Sequence, residues 1–158
     1  GSDAATAPLG PLPELQAALN HLLSSQPPSF STLESWGYYH FASPTPDLAA
    51  DSDGDGIGEL LEYLFGTDPK NTRTADMARL PRIVSVSPSS VTFHFDQPAS
   101  RTGATWVVQQ SESLAAGSWQ NLTHGVNGVT ITRAGDVIQV SMPASVGSQF
   151  LRVQATAN

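Results

Sequence analysis

The chain has 158 residues, 39% of them apolar, and a formal net charge of -7, which suits one ordinary domain or two small ones. It has no cysteine, which excludes disulfide frameworks, thiol catalysis and zinc-thiolate sites, and no run of about 18 apolar residues that would make a transmembrane helix. No basic stripe is present to neutralise phosphates, so neither nucleic acid nor membrane insertion is expected.

Gly1-Ser2 reads as a cloning remnant, and no signal peptide is visible behind it, which leaves export open. Residues 1–11 are rich in Ala, Pro and Gly and are expected to be a disordered tag or linker. From Pro13 the texture changes. Leu12, Leu15, Leu19, Leu22 and Leu23 recur at helical spacing, Pro13 and Glu14 suit a first turn, and the pattern predicts a helix to about Ser24, stopped by Pro27-Pro28. Its stripe would pack on the aromatic stretch Phe30, Trp36, Tyr38, Tyr39 and Phe41. That stretch reads first as core and boundary packing, and second as a sugar-stacking platform. The segment Pro44 to Pro46 breaks any helix ahead of the acidic stretch that begins at Asp47.

Between Asp47 and Asp68 stand seven of the 14 acidic residues and no Lys or Arg, so the net charge is a local property. Within that window Asp51 to Glu62 fits a twelve-position calcium loop. Calcium is a hard ion that takes about 6–8 oxygen ligands. Asp51, Asp53 and Asp55 offer carboxylates at positions 1, 3 and 5. Gly56 stands at position 6, where the backbone turns too sharply for a Cβ. Ile57 at position 7 would ligate through its carbonyl, leaving its side chain for the core. Glu59 at position 9 would bind directly or through water, and Glu62 at position 12 would close the shell with two oxygens. Magnesium is disfavoured by so many protein oxygens, and a filled shell leaves no open position for chemistry, so the expected role is structural.

Leu60, Leu61, Tyr63, Leu64 and Phe65 predict a short helix leaving the loop, with Gly66 at a left-handed C-cap and Asp68-Pro69 preventing continuation. Arg73 to Leu80 is the expected joint. Beyond it the sequence alternates as strands do: Arg82 to Val86, Val91 to Asp96 after the turn Ser87-Pro88-Ser89-Ser90, then Thr105 to Ser111, Ser118 to Leu122, Val129 to Arg133, Val137 to Met142 and Gln149 to Ala155. Arg133-Ala134-Gly135-Asp136 marks a hairpin turn. Seven short strands without helical interruption predict an antiparallel β-sandwich, with Trp106 and Trp119 in its core. His21, His40, His94 and His124 lack metal-ligand spacing, Asn121-Leu122-Thr123 is an isolated sequon, and no nucleophile elbow, phosphate loop or zinc-protease motif occurs.

The segment DSDGDGIGELLEYLFGTDP resembles bacterial thrombospondin type 3 and dockerin-like calcium loops. It is present as a single copy and has no entering helix. With Trp36 and Phe41 ahead of it, and Val108 to Leu114, Trp119 and Phe150 to Val153 behind, most of the chain resembles a C-terminal module of large secreted and surface bacterial proteins. That resemblance implies an extracellular, non-catalytic appendage with an immunoglobulin- or fibronectin type III-like sandwich. The expectation is therefore a mainly β protein: a linker over 1–11, a helical calcium-loop region over 12–79 and a sandwich over 80–158. Ca2+ would bind through Asp51, Asp53, Asp55, Ile57, Glu59 and Glu62. Its function would be that of a calcium-stabilised spacer or appendage, with another protein domain as a possible partner. The alternative is a carbohydrate-binding or adhesion module using exposed aromatics or sandwich loops.

Overall fold

A computed structural model describes residues 30–71 and 76–158. The helix expected from Pro13 to Ser24 and the linker over 1–11 lie outside the described residues, as does the first half of the expected joint.

The aromatic stretch, for which the sequence predicts packing but no particular conformation, forms helix α1, Leu33–Phe41. Thr32 caps it: its backbone is extended, and its Oγ1 accepts the N–H of Ser35 at 3.1 Å. The helix stops at Ala42 in the left-handed region. Trp36 is fully buried, with His40, Phe41 and Tyr63 around it at ring separations of 5.1, 5.4 and 5.5 Å, whereas Tyr38 and Tyr39 are exposed. Gly37 lies mid-helix, where glycine ordinarily costs about 1 kcal/mol against alanine. A Cβ there would stand 2.6 Å from the Ser43 carbonyl oxygen and 2.8 Å from Pro46 Cδ, because the Pro44–Pro46 segment folds back on the helix. Gly37→Ala is therefore expected to destabilise by about 1–3 kcal/mol, against its helix propensity, and a lowered urea midpoint would register it.

Helix α2, Glu59–Phe65, has the expected extent and the expected left-handed cap at Gly66 (φ 79°), whose N–H reaches the Glu62 carbonyl. A 3-10 turn, Asp76–Ala78, then leads into the strands. These are β1 (Arg82–Val86), β2 (Ser90–Asp96), β3 (Ala104–Ser111), β4 (Gln120–Asn121), β5 (Thr130–Ala134), β6 (Val137–Pro143) and β7 (Phe150–Ala157). They form two antiparallel sheets, ordered β1-β2-β6-β5 and β4-β3-β7. Between β5 and β6, Ala134 pairs with Val137 across Gly135-Asp136, with Gly135 at φ 61°, where a type II′ turn takes glycine.

Alternation along the strands places one row of side chains from each sheet between the sheets. Phe93 and Phe95 of β2, Ile138, Val140 and Met142 of β6, Val108 of β3 and Val153 of β7 make one buried cluster. Leu64 and Phe65 of α2 belong to the same cluster, with Phe65 edge-on to Phe95 at 5.8 Å. Trp106 packs against the cluster and meets Phe95 at 5.1 Å. Trp119 is not in that core: it is half-buried, with the Arg152 guanidinium 4.1 Å from its ring centre. The alternation in β1 also lacks a buried face. All five residues are exposed; β1 is an edge strand bonded to β2 only, with an irregular register between Ile83 and Ser85.

Tyr63 ties the helical part to the sheets. Its hydroxyl donates to the Thr102 carbonyl at 2.7 Å and lies 3.3 Å from that of Ser31. The Thr102 N–H and hydroxyl bond the Ser31 carbonyl at 2.7 and 2.9 Å, so the start of α1 and the β2–β3 connection are held together beside this side chain. Arg101 lies over the Tyr63 ring at 4.8 Å, and burial pushes its pKa down to about 10.

Candidate metal centre

The segment Asp51–Gly58 is wound by its own carboxylates. Asp51 Oδ1 accepts the N–H of Gly54 at 2.8 Å and of Asp55 at 3.2 Å, and Asp51 Oδ2 accepts that of Gly56 at 2.9 Å. Asp53 Oδ1 takes the Asp55 N–H at 3.2 Å, and Asp55 Oδ1 takes the Ile57 N–H at 2.8 Å. These are turns in which an aspartate bonds backbone ahead of it. Gly56 at φ 92° supplies the left-handed step that a Cβ would strain.

As a result the three aspartates bring one oxygen each to within 4.8 Å of one another. Glu59 and Glu62 fall outside that grouping but close against it from the first turn of α2. Glu59 Oε1 accepts the Ser52 N–H at 3.1 Å, and Glu62 Oε1 accepts the Thr67 hydroxyl at 3.3 Å. Both glutamates are buried, at 0% and 1% exposure. The main chain secures this closure, since the Glu59 and Leu60 N–H groups bond the carbonyls of Ala50 and Leu48 at 2.9 and 3.1 Å.

Buried polar atoms nearly always have a hydrogen-bond partner. Here Asp53 Oδ2, Glu59 Oε2 and Glu62 Oε2 are buried with none. Among the described residues, no Lys or Arg makes an ion pair with any of the five acids. Burial is the first cause raising the Glu62 pKa to about 8, followed by the negative charges of Glu59, Asp53 and Asp55. Burial also raises Asp53, with the charges of Asp55 and Asp51 adding to it. Such a set of hard, unpaired oxygens fits a hard divalent cation, which would supply the missing positive charge. Ile57 keeps its side chain half-buried, short of the core, and its N–H is occupied by Asp55.

Three participants have no ligand position in the loop pattern: Ser52 and Thr67, which bond the two glutamates, and Tyr63, which anchors the helix on which Glu59 and Glu62 sit. His40 lies elsewhere, 3.8 Å from Asp68, and burial lowers its pKa. Compared with family models, with curated proteins and with solved structures, the chain finds no match in any of the three.

Proposed function

We propose that Asp51, Asp53, Asp55, Glu59 and Glu62, with the Ile57 carbonyl, bind one calcium ion, and that the chain is a calcium-stabilised, non-catalytic module of a secreted or surface protein. The observation that supports this reading is the trio of buried, unpartnered carboxylate oxygens on Asp53, Glu59 and Glu62. An isolated buried carboxylate would cost several kcal/mol or take up a proton; three in one place ask for a cation. The role is structural because the site lies at the base of α2, whose next three residues reach Trp36, Thr102 and the sheet core. A chain without cysteine that works outside the cell gains from such a metal the cross-link that disulfides give elsewhere.

The strand order supports the finer fold reading. Lettered A, B, C, C′, D, E and F along the chain, β1 to β7 fall into the sheets A-B-E-D and C′-C-F, an immunoglobulin-like order without a strand G among the described residues.

Isothermal titration of chelator-treated protein with calcium is expected to give one site per chain. Its dissociation constant should fall in the range of about 10⁻⁴ to 10⁻³ M common to extracellular calcium modules, or tighter. Asp53→Asn and Glu62→Gln should each abolish the heat, and magnesium at equal concentration should not compete. A wild-type chain that takes up no calcium would overturn the proposal.

A further inference from the structure

Alternation predicts apolar residues along every row that faces between the sheets. The three-stranded sheet departs from this at one end. Continuing the inward rows beyond Val108 of β3, Leu122 after β4 and Leu151 of β7 brings in Gln110, Gln120 and Gln149. Gln110 pairs with Gln120 across β3 and β4, and Gln149 Nε2 donates to Gln110 Oε1 at 2.9 Å. That one bond leaves Gln110 Nε2 and Gln149 Oε1 without a partner among the described residues.

All three glutamines line an open groove of about 660 Å³, walled further by Ser113, Ser118 and Ser145. An adjoining hollow of about 220 Å³ shares them and has the exposed Val126 and Pro143 in its lining. The lining of the larger groove includes no Lys, Arg or His and a single acid, Glu112. Phosphate, carboxylate and nucleic-acid ligands are therefore poorly matched. Side-chain amides offer a donor and an acceptor side by side, the pattern that two neighbouring hydroxyls of a sugar complete, and an apolar surface next to them suits the C–H face of a pyranose ring. The Ser111 hydroxyl donates to the Ser113 carbonyl, which leaves its oxygen to accept from the Ser118 hydroxyl at 2.7 Å, so this wall has hydrogen bonds of its own before any ligand arrives.

We infer that this groove is a binding site for a neutral glycan, recognised by the amides of Gln110, Gln120 and Gln149. The inference is independent of the calcium site, which is built from a different part of the chain. The test is NMR titration of ¹⁵N-labelled, calcium-loaded protein with millimolar cellohexaose, xylohexaose, mannohexaose and laminarihexaose. At least one is expected to shift the side-chain amides of the three glutamines. Gln149→Ala should weaken that binding about tenfold, through loss of one amide contact and of the partner that orients Gln110. Gln149→Glu, which keeps the shape and adds a charge, controls for folding and should weaken it as well, with calcium-dependent melting unchanged in both. No shift with any of the four, shifts confined to Tyr38 and Tyr39, or binding indifferent to both variants would each overturn the inference. So would occupation of the groove by an uncharged peptide and by none of the sugars.

Discussion

Saturating calcium is expected to raise the melting temperature of the wild-type protein by about 5–10 °C over the same protein in chelator. The size comes from mass action: a ligand at about 100 times its dissociation constant contributes about 2.7 kcal/mol, and a chain of this length gains about 2–4 °C per kcal/mol. Glu62→Gln separates this from a nonspecific salt effect, because its two consequences have opposite sign. In chelator the variant should melt at or above the wild type, since it removes a buried carboxylate surrounded by Glu59, Asp53 and Asp55. In calcium it should melt below, having lost a ligand. A pH dependence is expected as well. In the metal-free fold Glu62 has its pKa raised from 4.5 to about 8. A raised folded-state pKa stabilises below the unfolded value, and that contribution is lost as pH rises through the folded one. Metal-free protein should thus lose stability between about pH 5 and 8, and the calcium-induced increment should grow over the same interval as the proton is displaced. Differential scanning calorimetry in both conditions checks the claim, and equal melting curves with and without calcium would refute it.

Phe65→Ala is the second large effect, at about 3–5 kcal/mol of lost stability. Phe65 is buried against Phe95 in the cluster that the two sheets share. The more telling readout is cooperativity. Trp36 belongs to α1 and Trp106 to β3, and their indole signals should disappear together as urea rises, in the variant and in the wild type alike. A variant in which Trp36 melts early while Trp106 keeps its wild-type midpoint would show that the helices and the sheets have separate cores.

The parts of this structure that were legible in the sequence share one property: residue type at fixed spacing carries the physics. Burying one face of a sheet favours alternation, so six of the seven strands appear where Val, Ile or Phe alternate with polar residues; β4, only Gln120–Asn121, has none of the three. The left-handed cap at Gly66 and the backbone turn at Gly56 need glycine, and glycine is there. Other features depend on what lies across space. Helix α1 escapes a periodicity reading because Trp36, Tyr38, Tyr39 and Phe41 surround its axis, and only tertiary contact decides that Trp36 is buried and the two tyrosines are not. In β1, alternation suggests an inner face, but neither row of this strand is buried. The grouping of the three aspartates was legible in their spacing, but the burial of Glu59 and Glu62 was not, since it depends on how the loop folds back onto the first turn of α2. The glutamine layer was equally silent, because a glutamine acquires meaning only when register shows which way it faces.

Helix α2 has a further consequence. It lies beside β7, with Leu60 and Leu61 lining a hollow against Arg152–Ala155, and among the described residues β7 has β3 on its other side and no further strand. An open strand edge is a template on which another chain can add itself, and natural sheets guard such edges. A helix offers no free ladder groups, so a helix stationed here leaves an incoming strand little room to pair. The acidic loop fixes that guard in position. What orders that loop therefore also orders the covering of this sheet edge.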